Sequence, residues 1–98
     1  MKLLALDHLL PSATEEKIYP HIKEEAAKAW ELHKAGVFRE MYFRTDRGGA
    51  VLILECTDVA EARKVLDTLP LVKAGLVDFD IIPLGPFMPL STLFAKAG

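Results

Sequence analysis

The sequence predicts an α+β domain with the element order strand, helix, strand, strand, helix, strand. Three observations carry that expectation. Two amphipathic helical stretches each lie between apolar, strand-like runs. Asp46-Arg47-Gly48-Gly49 has the composition of a hairpin turn between the two central runs. Pro11, Gly36 and Pro70 punctuate the ends of elements.

The first run, Lys2–Leu10, is apolar and closed by Pro11. Leu4, Leu6, His8 and Leu10 share one of its faces, and Leu3, Ala5, Asp7 and Leu9 share the other. Each face carries one polar group, so alternation leaves open which row meets the core. Ser12 and Glu15 have capping-box spacing. Pro20 disfavours helix at Tyr19, so a short turn at 12–19 should precede a main helix from Pro20 to Ala35. Gly36 supplies its stop. Ile18, Ile22, Glu25, Ala29 and Leu32 fall on one face of this segment, which is apolar apart from Glu25.

Val37–Thr45 and Ala50–Cys56 read as the paired strands. Val51-Leu52-Ile53-Leu54 is unbroken, which predicts cover on both faces. Asp58 and Glu61 cap a second helix marked by Val59, Ala62, Leu66 and Leu69 and ended before Pro70. Leu76–Leu84 is the fourth strand, with Phe79 and Ile81 on one face and Asp80 and Ile82 on the other. Right-handed crossovers place both helices on one face of a four-stranded antiparallel sheet, the ferredoxin-like βαββαβ arrangement. The second face then needs other cover, most simply the same sheet of a second subunit. Residues 1–84 form the domain. Residues 85–98 form a C-terminal arm whose Pro86 and Pro89 prevent regular pairing. Its Phe87, Met88, Leu90, Leu93 and Phe94 suit packing on the domain or on a partner subunit.

The chain has 98 residues, the length of one domain. Its 51 % hydrophobic and 27 % charged residues exclude a disordered chain. A net charge of −2 argues against a nucleic-acid partner. The uncharged stretch Ile81–Ala95 is broken by Pro83, Pro86 and Pro89 and is no membrane span. One Cys excludes an internal disulfide and a Cys-based zinc site, and fits a cytoplasmic location. A mean hydropathy of +0.21 is high for a small monomer and again points to self-association.

Further residues carry a likeness. Glu25 lies in the first helix; Ala35-Gly36 precede the aromatics Phe38 and Tyr42; the apolar strand ends in Glu55; and Leu69-Pro70-Leu71 closes the second helix. Across Glu24 to Leu84 the chain resembles the muconolactone isomerase family of the dimeric α+β barrel superfamily. The resemblance implies a cofactor-free, homo-oligomeric enzyme that moves a proton on a small unsaturated lactone or cyclic organic acid. Two departures stand beside it. Phe87-Met88 occupies the place of a His-Pro common in the family, and Arg47-Gly48-Gly49 replaces an aromatic in the hairpin. The superfamily also holds cofactor-free monooxygenases and cyclases, and loss of the His allows a non-catalytic ligand-binding protein.

Glu25 is the foremost candidate for catalysis. A carboxylate on an apolar face loses hydration, its pKa rises, and it becomes a useful acid or base near neutrality. The alternative is a place at the stripe's edge, beside a solvated Glu24–Lys28 pair. His8 is the second catalytic candidate, against a hydrogen-bonded strand end. Glu40, Tyr42 and Arg44 alternate on one strand face. Arg44 would take a substrate carboxylate and Tyr42 would donate to an oxyanion, unless the row is solvated or lies in a subunit interface. Arg39, Met41 and Phe43 take the opposite face, with Met41 and Phe43 in the core. His21 and His33 read as solvated, Trp30 as packing, Cys56 as a buried inert thiol, and Gly48-Gly49 as a turn. No metal site is expected.

Overall fold

The computed structural model describes residues 1–95. The chain runs β1 (Lys2–Leu9), α1 (Glu15–Ile18), a 3-10 turn (Tyr19–His21), α2 (Ile22–Lys34), β2 (Phe38–Phe43), β3 (Ala50–Glu55), α3 (Val59–Leu66), α4 (Pro70–Lys73), β4 (Val77–Leu84) and a second 3-10 segment (Met88–Leu93). The sheet order is β2-β3-β1-β4 with every neighbouring pair antiparallel. This is the expected ferredoxin-like α+β fold.

β1 is central, and its register decides the layers. Leu3 faces Leu54 and Pro83, Ala5 faces Leu52 and Ile81, and Asp7 faces Phe79. Leu3, Ala5 and Leu54 are wholly buried beneath Ala62, Leu66 and Leu69. The row Leu3–Ala5–Asp7 therefore faces the helices, and Leu4, Leu6 and His8 face the open side. Val51 and Ile53 are only half-buried. The cover expected on both faces of β3 is present on one, because a single chain lays helices on one side only.

Pro20 explains the break in the first helical segment. It cannot donate to the preceding turn, so α1 passes into a 3-10 turn and α2 starts at Ile22, two residues beyond the expected start. The cap of α1 is Thr14, whose hydroxyl accepts from the Lys17 amide at 3.3 Å. Ser12 instead donates to the Gly75 carbonyl. Gly36 takes φ +81° at the end of α2, as its role as a stop requires. Pro70 ends one helical stretch and, at the first position, opens α4.

β2 departs furthest from expectation. A register shift lies between Phe38 and Glu40: Phe38 faces Leu54 and Met41 faces Leu52. Phe38 is buried, whereas Met41 and Phe43 are 38 % and 81 % exposed. They sit on the helix side but not in the core expected of them, because no helix covers that end of the strand. Trp30 is also exposed, with its ring centroid 5.6 Å from that of His33. His33 is not merely solvated: its Nδ1 lies 2.8 Å from the Phe38 carbonyl and ties the end of α2 to the start of β2. Cys56 is buried as expected.

The arm leaves the body. Phe87, Met88, Leu90, Leu93 and Phe94 are all exposed, and the hydrogen bonds of residues 87–94 are internal. The radius of gyration is 16.5 Å, against about 13 Å for a compact chain of this length.

Leu54→Ala tests the packing. It removes a fully buried side chain under two helices. Urea unfolding should show a loss of about 2–5 kcal/mol with an unchanged slope.

Candidate functional site

α2 does not lie flush on the sheet. Its inward face carries Ala26 and Ala29, side chains too short to reach the strands. No residue of α2 is fully buried. The gap is a cavity of about 820 Å³. Its walls are the helix stripe Ile18, Ile22 and Ala29, the sheet residues Phe38, Met41, Leu52 and Phe79, and the Leu69–Leu71 turn. The hairpin residues Arg47, Gly48 and Gly49 close one end. Two carboxylates enter this largely apolar space, Glu25 from α2 and Asp7 from β1.

Glu25 Oε1 accepts from the Leu71 amide at 3.0 Å. That amide lies in the first turn of α4, where Leu69 offers no capping side chain. Glu25 thus fills an orphan donor across two helices while its carboxyl group stays inside the cavity. A place at the stripe's edge does not describe it, and Lys28 pairs with Glu31 at 3.3 Å rather than with Glu24. Burial pushes Glu25 above its ordinary value of 4.5. The Leu71 amide opposes that rise, the charge of Asp7 adds to it, and His21 opposes it weakly.

Asp7 is, on sequence alone, no more than the polar member of an undecided row. The register turns it inward, opposite Phe79. Burial raises it above its ordinary value of 3.8, offset by the Ala50 amide and by the charges of Arg47 and His8. Gly49 makes room for it. A Cβ built at Gly49 would stand 2.8 Å from Asp7 Oδ1, and φ +144° is itself a glycine conformation. The signal in the sequence is the Gly48-Gly49 pair of the hairpin, which by composition says only that the chain turns. Arg47 carries no more than that signal either.

The other candidates are not brought to Glu25. His8 and Tyr42 border the cavity by their places on the strands. Their side chains belong to the opposite row, with His8 Nδ1 3.7 Å from Asp80 Oδ2. Tyr42 donates to Glu40 Oε1 at 2.6 Å, which raises the phenol's pKa. Arg44 binds both oxygens of Asp46, at 2.9 and 2.6 Å, and lowers that carboxyl to about 2. Its guanidinium is therefore already occupied by a carboxylate. Among the described residues, no three His, Cys, Asp or Glu side chains form a metal-holding group. Nor is any helix among them long and apolar enough to cross a membrane.

The class of protein here is an α+β sheet with one helical layer and, between them, a largely apolar cavity that holds two carboxylates. Among solved structures, the chain is similar to 5-chloro-2-hydroxyhydroquinone dehydrochlorinase (TftG) from Burkholderia phenoliruptrix AC1100, solved in complex with 2,5-dihydroxybenzoquinone. The TM-score is 0.71 at 18 % identity, over 91 % of this chain and 98 % of that one. The likeness is one of fold. No protein-family model matches the chain, and no curated protein matches it in sequence.

The raised pKa of Glu25 has a signed consequence for stability. The folded state holds this proton at pH values where the unfolded chain has lost it, so ionisation costs stability as pH rises above about 4.5. Gln at this position keeps an acceptor for the Leu71 amide and carries no charge. Glu25→Gln should therefore melt higher than wild type at pH 8, and the gap should close by pH 4. Paired thermal melts at the two pH values check this.

Proposed function

We propose that the protein is an acid–base enzyme that needs no cofactor and moves a proton within a small, unsaturated, oxygenated ring, with Glu25 as the proton carrier. The observation that supports this most directly is a half-buried carboxylate with raised pKa inside a cavity large enough for such a ring. A carboxyl group whose pKa is raised by burial can act as a general acid or base without a metal. Oxygenated rings follow from two sources: the likeness of residues 24–84 to lactone isomerases, and a fold neighbour that acts on a hydroxylated ring. Loss of hydrogen chloride and migration of a double bond both involve cleavage of a C–H or O–H bond by a positioned base, so one carboxylate serves either.

His8, Glu40 and Tyr42 stay outside this mechanism, because their row faces away from Glu25. Arg44 is held by Asp46 and is not offered as a carboxylate receptor. We further infer that a second copy of the chain covers the open sheet face. The strand residues Leu4, Leu6, Val51 and Ile53 lie there only partly buried, and Ile82 on the edge strand is exposed.

A panel of unsaturated lactones, hydroxyquinones and cyclic enones in D2O, followed by proton NMR, tests the reading. Wild type should isomerise a panel member or exchange its acidic hydrogen for deuterium. Glu25→Gln should be slower by about 10²–10⁴-fold with an unchanged fold. Equal rates in the two proteins would remove Glu25 from the chemistry. Binding without any exchange would favour a non-catalytic ligand-binding protein.

A further inference from the structure

Asp7 is a carboxylate of the cavity that the proposed function leaves unused. It shares the cavity with Glu25 and comes from the opposite wall, the sheet rather than the helix. Its position is built. β1 places it in the row that faces the helices, and Gly49 at φ +144° leaves the space its Oδ1 occupies. Arg47, on the same cavity wall, supplies a nearby positive charge. A carboxylate set between an apolar floor and a glycine turn serves no packing purpose that Asn or Ser would not serve as well.

We propose that Asp7 is the second proton-handling carboxylate of the cavity, taking a proton from the bound ring while Glu25 returns one at another ring position. This rests on the acid–base reading above and adds a partner to it. In the step, a C–H bond beside a ring carbonyl breaks and its proton passes to Asp7. The electron pair enters the conjugated system as an enolate, whose oxygen Arg47 can stabilise. The Glu25 O–H bond then breaks, its proton forms the new C–H bond at the far end of that system, and the carbonyl is restored. Substrate and product are isomers. A proton moved from Asp7 to Glu25 resets the pair.

The surroundings set this division of labour. Arg47 from the hairpin, His8 from β1 and the Ala50 amide all favour an ionised Asp7. Glu25 has the Leu71 amide from α4 and His21 from the 3-10 turn in its favour, but faces the charge of Asp7. Burial raises both acids, and the positive charges of Arg47 and His8 beside Asp7 favour it as the base of the pair and Glu25 as its acid. Two carboxylates that interact by more than about one pK unit titrate as a pair, with two macroscopic steps.

Carbon-13 carboxyl NMR titration of full-length wild type, Asp7→Asn and Arg47→Gln tests the pairing without any ligand. In wild type, Asp7 and Glu25 should each show inflections at the same two pH values. In Asp7→Asn, Glu25 should titrate in one step at lower pH. In Arg47→Gln, a change confined to the hairpin, Asp7 should titrate at higher pH and Glu25 should respond with it. A Glu25 curve identical in all three proteins overturns the proposal, and the Arg47 variant keeps that test decisive if Asp7→Asn fails to fold. On whichever panel member wild type turns over, Asp7→Asn should lose about 10²-fold in kcat and one limb of the pH–rate profile. Turnover that survives Asp7→Asn with its pH profile intact removes Asp7 and leaves Glu25 acting alone. A coupled titration with no exchange on any panel member overturns the proton-transfer reading itself, and the role of Asp7 with it.

Discussion

The two-residue period of β1 constrains everything else in this molecule. Leu3 and Ala5 are wholly buried, so their row must face the helices. Asp7 belongs to that row and has no other side to occupy. A one-residue slip would bring Leu4 and Leu6 under α3 and turn Asp7 outward, but it would also break the pairing of β1 with both β3 and β4. The buried leucine and the inward acid are thus one choice of register. The cost of desolvating Asp7 is carried by the packing of Leu3, Ala5 and Leu54.

The cavity follows from residue size on the facing helix. Where the sheet meets α3, Leu66 is wholly buried in the core beside Leu3 and Leu54. Where it meets α2, alanines face the strands and the layers stand apart. The same gap exposes Met41 and Phe43 and admits two carboxylates. A closed core would have required both acids to be fully paired. An open, mostly apolar cavity lets each keep one amide neighbour and a raised pKa. Stability given up by loose packing at α2 is what would make the proposed proton chemistry available there.

Much of this is legible in the sequence, for identifiable reasons. Helix periodicity places Glu25 among Ile18, Ile22 and Ala29, and the cavity wall holds all four. Turn chemistry accounts for Gly36, the hairpin and Pro70. What escapes is whatever depends on partners distant in the chain. The row Leu4–Leu6–His8 has the same composition logic as Leu3–Ala5–Asp7, and only pairing with β3 and β4 separates them. The β2 register shift carries no local signature, since Arg39 is an ordinary strand residue. Alternation correctly groups Glu40 with Tyr42, but grouping residues on a face does not say which layer that face meets. The cap that Glu25 supplies to α4 spans 46 residues of sequence and has no spacing rule.

The surface of the single chain is larger than its mass warrants. It exposes 6936 Å², whereas a compact protein of 10.9 kDa exposes about 5,600 Å². The excess exceeds the roughly 800 Å² that each partner buries in a standard interface. It has two visible sources, the arm with its five exposed apolar side chains and the uncovered face of the sheet. Extended arms gain little by folding back onto a polar surface and much by crossing onto a second apolar one. Both sources are relieved together if two sheets meet face to face and each arm lies along its neighbour. The cavity lies on the helical side of the sheet, so such an assembly would leave Glu25 and Asp7 in place. It would instead bury the row of Glu40, Tyr42 and His8, where the Tyr42–Glu40 hydrogen bond already pairs a phenol with a carboxylate before any partner arrives. On this arrangement the two faces of one four-stranded sheet would divide the work, the proposed acid–base chemistry under the helices and assembly on the side without them.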